Sequence, residues 1–496
     1  MTLTAALNSA RTGLNTTQTQ ISATSDNVAN ALTEGYVARR SDPVSRAYGG
    51  VAAGVSTEIV RGPVNSRLLR DIRFANSELG QASIQQSILA DIVNVSGSPA
   101  EGRSISAAFV ELNTAFQRLS DTPDSPTSQR GVLDASKTLV SRFAALEDGI
   151  RTGREEADAA IAASVDEANA LLNQLEQLND DIVKAKASGN DGAPLLDERD
   201  LALTSLSELI GIRTFLGEDG DVVITTKEGI SLLDGDARSL GFSPTSQVPP
   251  DATLGTPLSG LSVNGTDITP TGGGPQALQS GRIAGAFQLR DVELPRQQSQ
   301  IDELARRTLS LFQTVDASVG PAATGLFVEL DAVSGLPIRH DDAVPADPVA
   351  GLAGRLAINA NVDPTAGGNL RRLRDGVQTL VAGPAGDTTQ INAFIAGLNS
   401  GQPFSGTPGL GTNVSLEQYA DQILTAHQAD RLQADNATEA SVVTYNTLLS
   451  RHVGETGVNV DAESERLLTL EQAYAANAQV ISTVNRMFEE LLARLA

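Results

Sequence analysis

The apolar positions at the start of the chain fall on a helical seam. Leu7, Leu14, Ile21 and Val28 recur every seven residues, with Leu3 and Ala10 on the companion seam. That spacing predicts a helix of roughly 30 residues with one face against a partner. Gly13 interrupts it at a cost of about 1 kcal/mol relative to alanine. Asn30-Ala31-Leu32-Thr33-Glu34-Gly35-Tyr36 ends the pattern, and Asp42-Pro43 and Gly49-Gly50 mark an irregular or β-rich passage. Val51 to Val60 reads as a strand or hairpin. Helical spacing returns over 64–96 through Leu68, Ile72, Leu79, Ile84, Ile88 and Ile92, and again over about 103–120. Residues 127–187 hold one or two long helices around Gly149 and Gly153. There Ile161, Ala168, Leu175 and Ile182 stand seven apart beside Val165 and Leu172, as in a coiled-coil layer.

The middle of the chain changes character. Asp197 opens a short helix to about Leu209, and Val222, Ile224, Ile230 and Leu232 then alternate between glycine-rich turns, as strands do. Pro244, Pro249, Pro250, Pro257 and Pro270 leave room for short strands and loops only. A helix resumes near Ser280 and continues across Pro295 to about Ala317. Residues 318–410, rich in Gly, Pro and Asp, read as the outermost, most loop-like region. The last 80 or so residues are helical, broken at Gly454 and Gly457.

The C-terminal helix repeats the opening pattern. Leu467, Tyr474, Ile481, Phe488 and Leu495 stand seven apart, and Leu470, Val484 and Leu491 fill the second seam with Asn477 as its polar member. Its outer face is the informative part. From Leu467 to Asn485 the only charged residue is Glu471, and from Met1 to Ser25 the only one is Arg11. A solvated helix in an acidic protein should carry many charges opposite its apolar stripe. Two ends that both lack them are suited to pair and then be buried among identical or related subunits. Alone such seams are marginally helical at best, so both termini are expected to be largely disordered in the monomer and to fold on assembly.

Composition narrows the field. In 496 residues, 36 basic against 60 acidic side chains give a net charge of −24, which repels nucleic acid and anionic membrane surfaces. Cysteine is absent, so disulfides, thiolate metal sites and thiol nucleophiles are excluded. No 18-residue apolar run predicts a transmembrane helix. The N-terminus does not carry the basic and apolar regions of a Sec signal peptide, so any export is expected by another route.

Several segments resemble a known family. Ser25-Asp26-Asn27-Val28-Ala29-Asn30, then Thr33-Glu34-Gly35-Tyr36 and Arg39, resemble the N-terminal signature of bacterial flagellar rod, hook and hook-associated proteins. Gly457-Val458-Asn459-Val460-Asp461, followed by Leu470 to Val480 with Asn477 and Gln479, is similar to the C-terminal signature of the flagellar hook-associated protein 1 family. Leu195-Leu196-Asp197-Glu198-Arg199-Asp200 and Gly281-Arg282-Ile283-Ala284-Gly285 match internal patterns of that family.

The resemblance implies a secreted structural subunit at the hook–filament junction, exported unfolded through the flagellar type III channel. Its implied partners are the hook protein, the second hook–filament junction protein, further copies of itself in a ring, and an export chaperone on the C-terminal helix. The implied fold is mainly α with a smaller β and loop component. Residues 1–40 with 455–496 would form an inner coiled-coil assembly domain. Residues 41–317 with 411–454 would form a middle helical domain with β hairpins, and 318–410 a small outer region, reduced relative to longer family members. Gly35 can take a positive φ and let the chain leave the inner helix, although Gly35-Tyr36 also reads as an ordinary helix stop.

Chemistry is hard to find. His340 stands beside Asp341 and Asp342, which on paper offers an imidazole and metal oxygens, but such a trio on a loop is far more often a solvated acidic turn; the other histidines are His427 and His452. No His-Glu-x-x-His or Gly-x-Ser-x-Gly occurs, and Gly272-Gly273-Gly274 runs into Pro275, not into a phosphate loop. Asp180-Asp181 and Glu155-Glu156 lie on helices, where adjacent residues point about 100° apart and do not converge as an acid–base pair. No catalytic, cofactor or metal site is expected. The alternatives to a junction protein are another axial flagellar protein and a secreted coiled-coil scaffold or adhesin.

Overall fold

Helices carry most of the chain. The computed structural model describes residues 3–48, 51–321, 323–330, 336–339, 349–406 and 408–495. In chain order the helices are α1 (Leu3–Ala29), α2 (Ser66–Ser96), α3 (Ile105–Asp121), α4 (Pro126–Ala187), α5 (Ala193–Leu209) and α6 (Arg282–Gln288). Then come α7 (Leu294–Thr314), α8 (Leu352–Arg355), α9 (Arg372–Asp375), α10 (Thr389–Asn399), α11 (Leu416–Thr456) and α12 (Val460–Leu495). Between α1 and α2 lie strands β1 (Arg39–Ser41), β2 (Val44–Tyr48), β3 (Val51–Ser56) and β4 (Ile59–Arg61). After α5 come β5 (Ile212–Leu216), β6 (Val222–Thr226), β7 (Ser231–Asp234) and β8 (Asp236–Ala237).

These elements gather into two compact units. One comprises residues 1–77, 168–239 and 442–496, the other 78–167 and 240–441, so α2, α4 and α11 each contribute to both.

In the first unit β1 pairs antiparallel with β4, β2 with β3, and β5 to β8 form an antiparallel sheet in sequence order. The alternation at Val222 and Ile224 is the inward face of β6, where both are buried. Leu172, Leu175 and Ile182 of α4 are also buried. The sheet is pinned to that helix at two points: Asn179 Nδ2 donates to Val222 O (2.9 Å) while its Oδ1 accepts from Val222 N (3.0 Å), and Glu176 Oε2 accepts from Ala237 N (3.1 Å).

The second unit is built around α7, which is buried on all sides. Leu304, Leu311 and Phe312 lie in its core, where Phe312 meets Phe116 of α3, Phe327 and Phe394 of α10 at ring centroid distances of 4.9–6.1 Å. Polar residues of α7 are buried with them. Asp302 accepts from Gly351 N (2.8 Å), Ala353 N (2.9 Å) and Gln298 Nε2 (3.0 Å), which caps α8. Buried Glu303 pairs with Arg306 (2.7 Å). Residues 318–410, read from sequence as a loop-like outer region, supply Leu326, Phe327, Leu352, Ile391 and Phe394 to this same core.

Of the one or two helices that the sequence allows over 127–187, the structure has one. α4 runs unbroken through Gly149 and Gly153, because both glycines are contact points. A Cβ on Gly149 would lie 3.0 Å from Val95 Cγ1, and one on Gly153 3.2–3.3 Å from Leu294, Ile88 and Ile92. The break expected at Gly454 does not occur: α11 passes through it and stops before Gly457. At Pro295 the helical run is accommodated by a π-turn over Leu289–Glu293, after which α7 begins anew with the proline in its first turn, where its missing N–H costs nothing.

Candidate functional site

The two terminal helices lie against each other within the first unit. Gly13 and Asn477 meet at the contact: a Cβ on Gly13 would stand 3.1 Å from Asn477 Oδ1. The glycine that weakens α1 and the polar residue that interrupts the α12 seam are therefore one feature, a close approach that a side chain on residue 13 would crowd. Thr12, beside it, accepts through Oγ1 from Val55 N (3.3 Å), which ties β3 to α1.

The seam residues divide by exposure. Leu470 and Val484 are buried, and Leu3, Leu7, Leu14, Ile21, Leu467, Ile481 and Phe488 are half-buried. Val28, Tyr474 and Leu491 are exposed, and the Leu495 side chain lies outside the described residues. A second set of apolar residues on α12 faces outward: Leu468, Val480, Met487 and Leu492, with Leu468 62% and Leu492 65% exposed. Leu32, in the turn after α1, is wholly exposed at the rim of an apolar cavity of about 250 Å³ lined by Leu69, Ile72, Tyr445 and Leu449.

The motif residues converge on one polar network. Asn27, fully buried, accepts at Oδ1 from Arg39 N (2.7 Å) and from the Tyr36 hydroxyl (2.9 Å). Its Nδ2 donates to Arg39 O (3.1 Å) and to Glu463 Oε1 on α12 (3.2 Å). Asn30 and Thr33 shape the turn between: Thr33 N donates to Asn30 O (3.0 Å) and Tyr36 N to Thr33 O (3.3 Å). Gly35 takes φ +75°, a left-handed conformation that a glycine adopts without strain. Burial pushes the Tyr36 hydroxyl above its usual pKa, partly offset by Arg39, whose guanidinium lies 4.8 Å from the ring centre.

From Arg39 the network continues as alternating charges. Arg39 Nη2 pairs with Asp197 Oδ2 (2.7 Å), Arg61 bridges Asp197 and Asp200 (2.7 Å each), and Arg73 reaches Asp200 (2.9 Å). Asp197 and Asp200 are three residues apart on α5 and so share one face. Arg199 faces elsewhere and donates to Gly220 O (2.7 Å). Removing one partner from a buried chain of this kind costs about 3–5 kcal/mol, because an uncompensated charge remains. Arg61, Arg73 and Glu463 had no signal in the sequence; they lie in three separate segments and join the motifs only in the fold.

The C-terminal signature also takes shape here. Gly457 follows the end of α11, Ala38 N donates to Thr456 O (2.9 Å), and Asn459 caps α12 by accepting from Ala462 N (3.1 Å). Gln479 is exposed.

The second internal pattern lies in the other unit. A Cβ on Gly285 would fall 2.7 Å from Gln81 O, so α6 packs closely on α2. Beyond it, fully buried Arg290 pairs with Asp158 (2.6 Å) and Asp291 (2.7 Å), while Arg154 donates to the carbonyls of Arg290, Pro249, Pro250 and Ala252.

His427 is buried with Nδ1 3.1 Å from Ser96 Oγ, and burial lowers its pKa to about 4. His452 is half-buried, and burial lowers its pKa as well. His340, Asp341 and Asp342 lie outside the described residues. Among the described residues no group of three or more His, Asp or Glu is placed to hold a metal ion, and no helix is long and apolar enough to cross a membrane.

Comparison with known proteins places this geometry in context. Residues 91–318 match the family described as the helical domain of flagellar hook-associated protein FlgK. Residues 7–36 match the flagella basal body rod protein family, and 450–495 the C-terminal region of the flagellar basal body rod FlgEFG proteins. Flagellar hook-associated protein 1 of Escherichia coli strain K12 is 24% identical over 98% of this chain and 99% of its own length. The protein of that name from Bacillus subtilis strain 168 is 21% identical over 98% and 97%. The solved flagellar hook junction protein FlgK from Burkholderia pseudomallei aligns over 52% of this chain and 46% of its own, at 21% identity and a TM-score of 0.42.

Proposed function

We propose, from its similarity over almost its whole length to proteins named flagellar hook-associated protein 1, how this chain works. It is a structural subunit of the bacterial flagellum, an exported component of the junction between hook and filament. Its work is assembly, not turnover. The observation that carries this reading is the terminal helix pair: two helices almost free of charge over 1–25 and 467–485, where Arg11 and Glu471 are the only charged residues, in contact at Gly13 and Asn477, with a second apolar row on α12 facing outward.

In this reading α1 and α12 form the inner assembly layer, as residues 1–40 with 455–496. Leu7, Leu14, Ile21, Leu470 and Val484 hold the pair together. Tyr474 and Leu491 of the seam, with Leu468, Val480, Met487 and Leu492, meet neighbouring copies in a ring. Leu32 adds an apolar contact outside the seams. The neighbours along the axis are the hook protein and the second junction protein. An export chaperone covers the outward row of α12 before assembly, since apolar residues so placed are otherwise prone to non-specific association.

Substitutions on the outward row test this. Val480→Asp and Met487→Asp should leave thermal unfolding of the isolated chain within about 0.5 kcal/mol of wild type, as surface changes do. Yet they should abolish assembly in sedimentation and electron microscopy, because a carboxylate is costly only where neighbours bury it. Wild-type assembly by both variants would contradict the proposed interface.

A further inference from the structure

We infer that Asn27 is a positioning residue for the C-terminal helix, and that its bond to Glu463 is a latch closing the terminal helix pair onto the motif turn. Asn27 uses the full capacity of its amide, two bonds accepted and two donated, and it is fully buried. Three of the four bonds are local, to Tyr36 and Arg39, so the motif turn forms them whether or not α12 is in place. The fourth reaches Glu463, 436 residues away in sequence. When α12 is undocked, one N–H of a buried amide is left without its acceptor, which is costly in a dry site.

The surroundings favour closure at this end of the helix pair. Glu463 stands in the first turn of α12, one turn beyond the Asn459 cap. Only Gly457 and Val458 separate that cap from the end of α11, whose Thr456 carbonyl is already held by Ala38 N. The direction of α12 is therefore set by a short glycine-containing link and fixed by the latch. Arg39, which supplies both backbone groups bound by Asn27, is anchored in turn by Asp197. The latch thus connects the assembly helix to the charged network without an ion pair of its own. The inference relies on the proposed assembly only for its consequence there; the latch itself is a property of the unassembled chain.

Amide hydrogen exchange of the full-length, unassembled protein tests it. In the wild type, peptides covering 24–30 and 460–466 should be protected. Glu463→Ala should raise their exchange about tenfold or more, the scale of a lost hydrogen bond to a charged group. Peptides from α3 should be unchanged. Asn27→Asp should do at least as much, since it sets two carboxylates face to face. Combining Asn27→Asp with Glu463→Gln should recover more protection than Asn27→Asp with Glu463→Ala, because only glutamine returns a donor. If Asn27→Asp does not fold, Glu463→Ala decides alone. Unprotected wild-type peptides at 460–466, unchanged exchange in Glu463→Ala, or no advantage of glutamine over alanine would overturn the latch. Loss of assembly with exchange unchanged would count against the latch and leave the proposed function standing.

Discussion

Two buried titratable side chains in the second unit pull stability in opposite directions over one pH range. His427 has its pKa lowered by burial from 6.5 to about 4. Between those values the unfolded chain binds a proton that the folded chain refuses, so its contribution is full above pH 6.5 and is lost as pH falls toward 4. Asp302 is raised by burial from 3.8 to about 6, against the opposing hydrogen bonds from Ala353 N, Gln298 and Gly351 N. There the folded chain takes up the proton first, and stability rises as pH falls from 6 toward 4. Each shift corresponds to about 3 kcal/mol, so the two nearly cancel. Relative to wild type, Asp302→Asn should therefore lose about 3 kcal/mol of stability between pH 6 and pH 4, and His427→Gln should gain about as much. Urea unfolding across that range measures both. Parallel pH profiles for either variant and wild type would show that the side chain does not titrate as described.

At the scale of elements, glycine separates what the sequence reveals from what it hides. Gly131, Gly149 and Gly153 all lie within α4, where glycine lowers helix propensity. Gly131 is exposed with nothing within 4 Å of an added Cβ, whereas Gly149 and Gly153 touch neighbouring side chains. Gly131→Ala should stabilise the protein by about 0.5–1 kcal/mol, and alanine at either of the other two should give no gain or a loss. Urea midpoints for the three variants check this; equal gains at all three would contradict the packing. The long helices are legible because periodic Leu and Ile write their faces into the sequence. Whether α4 would divide at Gly149 and Gly153 stays open in the sequence, because propensity is local while the packing at those glycines is not; the break the pattern suggests at Gly454 is absent. Burial of Gln297, Gln298, Asp302 and Glu303 on α7 was invisible, since polar residues ordinarily signal a solvated face. The motif turn was readable from Asn27 to Arg39, but its partners Arg61, Arg73 and Glu463 carry no mark of their own. Residues 318–410 looked loop-like because their elements are short, and Phe327 and Phe394 find their partners only across the unit's core.

Over the whole molecule, the distribution of charge matches a subunit that travels alone and works in company. A net charge of −24 keeps separate chains apart in solution. Residues 1–25 and 467–485, with Arg11 and Glu471 their only charged side chains, are stretches where that repulsion is weak. Within one chain the pair has few fully buried apolar side chains, Ala10, Ala23, Leu470 and Val484 among them, so its own packing is modest. It should fray from its far ends and hold at the Asn27–Glu463 latch until neighbours cover the outward row. Limited proteolysis of the purified monomer and of the assembled form, with fragment masses read by mass spectrometry, tests this most directly. The account predicts rapid trimming of the monomer from both ends, halting near residues 27 and 463, and resistance of the same segments once assembled. A monomer whose ends resist as well as its core would mean that the helices are already fully packed. That would contradict folding on assembly and favour a discrete coiled coil.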